Sequence, residues 1–263
     1  MSQEHPPRPR LSPAFVVRET IGQLPRVWRG AALALGLWTA IGVAAALWSG
    51  GVAGVALAVL GAAVGLVAIG ASLRITVADD QNGATALGLG PGGLQIGRVE
   101  FRLLGAAALC LLFWAIVASL VGLTVLALFG GSELNVEAIQ ARDWGSVGPA
   151  WRVAVVAVVG LGAIIIPVML AARLAMAGPA TVAQGRMVSL PAMAISRGNV
   201  WILTSGLLLF SLPGLMLMGF VATIGGSVAA IGSAIIFVWA LIPSWMSFLG
   251  VFYRGFRSDA DDL

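Results

Sequence analysis

Polar positions are so sparse along this chain that they divide it into segments. Residues 30–73, 103–132, 153–172 and 198–253 carry no charged side chain, in stretches of 44, 30, 20 and 56 residues. A helix needs about 20 apolar residues to cross a bilayer. The first and last stretches therefore predict two crossings each, and the middle two predict one each. The six predicted helices cover 31–48, 52–73, 103–129, 153–172, 200–224 and 228–251. The runs are continuously apolar and lack the alternation of a membrane barrel strand. The expected fold is all-α, a polytopic membrane bundle of six transmembrane helices arranged as three hairpins with cytoplasmic interfacial helices. Residues 1–30 form a cytoplasmic tail and an amphipathic helix, 31–253 the six-helix transmembrane domain, and 254–263 a short acidic cytoplasmic tail.

Ahead of the first crossing, Ser12 and Pro13 make a cap and first-turn pair. Val17, Ile21, Leu24 and Trp28 then fall on one helical stripe, with Arg18, Glu19 and Gln23 elsewhere, the pattern of a helix lying in the membrane interface. Residues 92–101 and 181–201 mix apolar residues with arginine in a less regular way and serve as lead-in segments to the third and fifth crossings. A glycine-serine triplet turns each hairpin, at 49–51, 130–132 and 225–227. Each hairpin is preceded by an arginine, an aromatic residue and a glycine: Arg26, Trp28, Gly30; Arg98, Phe101, Gly105; Arg197, Trp201, Gly206. Arg74 to Arg98 and Arg173 to Arg197 are both separated by 24 residues. These coincidences describe three parallel repeats about an axis along the membrane normal. The competing explanation is that such turns and borders arise in any polytopic protein.

Composition agrees with the pattern: 59% of residues are hydrophobic and 10% charged, against about 25% charged in a soluble domain. Cys110 is the single cysteine, which excludes a disulfide scaffold. Charge adds orientation. All 15 basic residues are arginine; thirteen lie on one side of the predicted crossings, and only Arg142 and Arg152 lie on the other. With the acidic residues counted, the sides carry +5 and −1. The positive-inside rule places both termini in the cytoplasm, and in a bacterial source the chain belongs in the inner membrane. Dispersed over four segments, the arginines do not read as a nucleic-acid surface.

Candidate chemistry is thin. Buried charge is the usual mark of proton relays and intramembrane catalysis, and the six predicted cores contain no ionisable side chain. His5 has no partner spacing for a metal, and no base is available to Ser211 or Thr204. The glycine-rich stretch 88–93 lacks a phosphate-loop signature and is expected to be a flexible turn. Asp79 and Asp80 read as a solvated loop. Pro167, Pro213 and Pro243 interrupt three helices, as simple kinks or as the broken helices of a transport site. Gly61, Gly65, Gly160 and Gly162 permit close helix approach. Trp48, Trp144, Trp151 and Trp245 are expected to anchor the interfaces.

The phrases at 97–104, 180–186 and 196–201 resemble recurring segments of uncharacterised bacterial six-span proteins, which are similar to the membrane domain attached to some glycerophosphodiester phosphodiesterases. In those enzymes hydrolysis resides in a separate soluble barrel, so the resemblance implies a membrane module and no catalysis. The expected function is non-catalytic, with no cofactor: a module that organises lipid or an unidentified membrane protein partner. Membrane lipids, anionic ones included, would be its partners, with Arg26, Trp28, Arg98, Phe101, Arg197 and Trp201 at headgroup depth. Two alternatives stand: the arginines enforce topology alone, or the chain is a facilitator or channel for an uncharged or amphiphilic solute, using Thr204, Ser205, Ser211, Ser233, Ser244 and Ser247.

Overall fold

The computed structural model describes residues 12–48, 50–132 and 134–256. They are all helical in their regular structure, and five helices are long and apolar enough to cross a membrane, or six if one bent pair counts as a single span.

That pair is α1 (Pro13–Gly30) and α2 (Ala32–Leu47), which meet at 77°. The bend falls at Ala31, where the backbone leaves helical geometry. It is positioned by Gly30, since a Cβ there would lie 2.7 Å from Ile75 Cδ1. Helix α2 has 16 residues, about 24 Å of rise, and so by itself falls short of a bilayer core of about 30 Å. The full crossing predicted for 31–48 is thus shortened by the bend. Helix α3 (Gly51–Val77) follows and packs along α2. Short α4 (Gln81–Ala86) is capped by Asp80, whose carboxylate accepts the Gly83 N–H at 2.7 Å.

The 88–93 stretch is no flexible turn. It closes with a 3-10 turn, Pro91–Gly93, wedged against α2 and α3. Gly93 has φ of 83°, and a Cβ on it would sit 2.9 Å from Ala31 Cα and 3.1 Å from Ala71 Cβ. The glycine content is a docking requirement, in which positive φ and close backbone approach coincide.

Helix α5 (Arg98–Gly131) packs along α7 (Ala150–Leu174), and between them residues 132–149 carry α6 (Val136–Gln140). The 130–132 triplet therefore does not turn a tight hairpin: Gly130 and Gly131 lie inside α5, and the connection goes on for a further 17 residues before α7. Asn135 caps α6 by accepting the Ala138 N–H, and Arg152 ties the loop to Ser132 O at 3.1 Å. By contrast, Gly51, Gly225 and Gly226 do adopt positive φ at the other two turns.

Helix α8 (Ala177–Gln184) breaks from the end of α7 and buries Ala177 and Pro179 through Val182 against α3 and α5. Its segment is held by Thr181 Oγ1, which donates to Val188 O and accepts the Val188 N–H. The third lead-in thus runs partly inside the bundle. After a 3-10 turn at Leu190–Ala194 come α9 (Val200–Ala222), α10 (Gly226–Ile236), a π turn (Phe237–Leu241) and α11 (Ile242–Gly255).

The π turn has a local cause. Pro243 has no N–H, so the carbonyl four residues earlier, on Trp239, loses its helical donor. The Trp28 indole supplies one, donating to Trp239 O at 3.0 Å, while Trp239 Nε1 donates to Thr39 Oγ1 at 2.8 Å. Trp114 likewise donates to Pro167 O at 2.9 Å, and Trp245 to Ser211 Oγ at 2.8 Å, two residues from Pro213. Trp245 is thus a stitch between α11 and α9, while Trp48, Trp144 and Trp151 remain exposed.

The core sits where α1, α3, α9 and α11 meet, with Phe248, Phe252 and Tyr253 fully buried. Helix α1 turns Val16, Thr20, Gln23 and Val27 inward against α11 and α3, and leaves Ile21 and Trp28 exposed. Of the stripe picked out by hydropathy, Ile21 and Trp28 point away from the protein, while Val17 and Leu24 are half-buried.

Candidate functional site

Three of the long crossing helices end at the arginine-rich border with an arginine in their last turn: Arg74 on α3, Arg173 on α7 and Arg254 on α11. A cation there meets the negative end of the helix dipole. Each then reaches into a different lead-in segment. Arg74 Nη1 pairs with Glu100 Oε1 at 2.7 Å and its Nε donates to Leu87 O at 2.8 Å. Arg173 donates to Ser196 Oγ at 3.3 Å and Met193 O at 3.1 Å. Arg254 pairs with Glu19 at 3.2 Å and lies 3.6 Å from Asp79. The last helix is thereby tied to the first.

The three clasps differ in burial. Arg74 and Glu100 are only 2% and 4% exposed, and the second Glu100 oxygen accepts the Gly97 N–H at 2.9 Å. Gly70 leaves room for the pair, since a Cβ there would contact both Arg74 and Glu100 at 3.2 Å. The pair was not visible from spacing, which assigned both residues to charged borders; the signal that could have found it is a single carboxylate set between Arg98 and Arg102. Glu19 is more open. Its carboxyl is held below the usual glutamate value by the Gln23 amide, with Arg254 and Arg26 adding to the effect.

The predicted headgroup residues are spread over three helix starts and do not converge. Arg26 donates to Gln23 Oε1 and Asp79 O, and Trp28 spends its N–H on Trp239 O. Phe101 and Trp201, in the first turns of α5 and α9, are 69% and 70% exposed. Arg98 and Arg197 are exposed at the same two helix starts.

Between α3 and α5 lies a cavity of about 520 Å³, closed by α8 and α11 and open to the side. Its walls include Leu66, Leu73, Ala106, Cys110, Trp114 and Leu249. Small residues on the facing segments, among them Ala171, Ala175 and Gly178, leave space that no side chain fills. None of the six hydroxyls proposed for a transport path lines it. Ser211 donates to Leu207 O and Ser205 to Ile202 O, each within its own helix.

No protein-family model, curated protein or solved structure matches the chain.

Proposed function

We propose that this is a multi-pass integral membrane module, without catalytic chemistry of its own, that organises lipid at an arginine-rich cytoplasmic border and through it a membrane partner. In this reading three hairpins stand side by side, α1 lies in the interface with Ile21 and Trp28 toward lipid, and both termini are cytoplasmic, in the inner membrane of a bacterial source. The observation that carries it is the set of three clasps. An arginine at the end of α3, α7 and α11 engages a separate lead-in segment in each case, which supports a threefold design that presents Phe101 and Trp201 outward. Such a role fits the module attached to some glycerophosphodiester phosphodiesterases, which the phrases at 97–104 and 196–201 resemble.

The facilitator reading relied on hydroxyls in the fifth and sixth crossings. The cavity beside α3 and α5 has apolar walls, and its share from the sixth crossing, Met246 and Leu249, includes none of those hydroxyls, so the lipid reading is favoured. Its test is purification of the full chain in mild detergent with mass spectrometry of bound lipid and protein. Replacing Arg26, Arg98 and Arg197 together by glutamine should lower the retained anionic lipid, since each surface arginine is worth about 1 kcal/mol toward an anionic membrane. Unchanged lipid content would reduce these arginines to topology.

A further inference from the structure

We infer that the groove between α3 and α5 seats one acyl chain of an anionic phospholipid, with its headgroup at the arginine border. The inference rests on the membrane reading above and adds a defined site to it. The volume, about 520 Å³, lies within the range of small-molecule sites, about 300–1,000 Å³. Its shape follows the helices: the α5 wall runs from Leu103 to Trp114, about 16 Å at 1.5 Å per residue. The lining side chains offer only the weakly polar sulfurs of Cys110 and Met246, because the Trp114 N–H is spent on Pro167 O. Water needs two to four polar partners to be held, and an empty space would forfeit dispersion contacts along every wall.

The mouth decides the occupant. Ala107 and Leu111 line the groove and are exposed, and they lie roughly 14–20 Å along α5 from Arg98 by helical rise. A mouth at that depth in a crossing helix opens on hydrocarbon, where lipid chains are the mobile apolar molecules. Charge at the other end selects the headgroup. The border carries a net +5, and Arg98, five residues before Leu103, is exposed with no hydrogen bond or ion pair among the described residues. Its guanidinium is therefore available to a lipid phosphate.

The full-length protein in phosphatidylcholine vesicles, doped with phosphatidylglycerol bearing a diazirine midway along one chain, provides the test. After photolysis and peptide mapping, adducts should concentrate on Cys110, Leu111 and Trp114 over Met216, although Met216 on α9 is the more exposed. A phosphatidylcholine probe with the same chain should label the groove less, and Arg98→Gln should lower phosphatidylglycerol labelling by about fivefold. Ala107→Trp, at an exposed position the fold tolerates, should block labelling by either probe. Adducts spread evenly over exposed residues, equal labelling from the two headgroups, or cross-links to a second copy at the groove would each overturn the inference. Retained anionic lipid with even labelling removes the groove and leaves the border reading; groove labelling without retained lipid does the reverse.

Discussion

Helices α10 to α11 are less apolar than helix α7, yet 56% of their most apolar stretch is buried inside the protein and none of the corresponding stretch of α7. Apolar content therefore runs opposite to burial in the two regions, and the placement of small residues separates them. Along α11, Gly250 lets the backbone of α3 approach so closely that a Cβ would lie 2.5 Å from Thr76 Cβ and 2.9 Å from its carbonyl carbon. Gly65 admits the Trp38 ring, and Gly214 admits Leu241. On α5 and α7, Gly122, Gly160 and Gly162 face open space. Without hydrophobic driving force between helices in lipid, close backbone approach is a main source of attraction. The α3–α11 region is thus a packed core, and the outer halves of α5 and α7 are a surface for something outside the chain.

The largest effect should come from the buried clasp. Glu100→Gln leaves Arg74 charged and unpaired, at a cost of about 3–5 kcal/mol, read as a fall in the thermal midpoint in detergent. Replacing both partners by leucine and methionine should be far milder, which separates loss of the pair from loss of the site. Gly250→Ala comes next: wedging α3 from α11 should cost about 1–3 kcal/mol, whereas Gly160→Ala should leave the midpoint unchanged. Equal effects at the two glycines would break the comparison of regions. Trp245→Phe removes the donor to Ser211 and should cost about 0.6–1.5 kcal/mol, with a smaller change for Trp151→Phe, whose ring is exposed at the other end.

The smallest effect is pH-dependent and concerns α1. The Glu19 carboxyl is held below its unfolded value, so its contribution is fully present above about pH 4.3 and disappears as pH falls through the lower folded value. Acidification across that window should loosen α1 from α11, seen as faster amide exchange in 13–30. Glu19→Gln should remove the pH dependence.

Five predicted crossings match α3, α5, α7, α9 and α10–α11 to within a few residues at most ends, because twenty uncharged residues have few alternatives in a bilayer. The lead-in segments were legible only in part. Helix α1 was readable from Ser12, Pro13 and its periodicity, but which face turns inward was not: Thr20 and Gln23 are buried because they meet α11 and α3, contrary to their polarity. Trp245 looked like a membrane anchor and instead donates to Ser211 beside the proline-broken α9, while Trp28 is exposed and also donates to Trp239 O. Hydropathy does not reveal which tryptophans find an acceptor inside the protein.

The amino-acid sequence by itself determined the extent of five apolar helices and the clustering of arginines between them, since both follow from transfer of single segments between water and hydrocarbon. Only the tertiary structure decided that Arg74 finds Glu100, that Arg254 reaches back to Glu19, and that small residues on α5, α7 and α8 leave a groove. Those outcomes depend on which surfaces meet, and a one-dimensional pattern of polarity does not carry the distances between them.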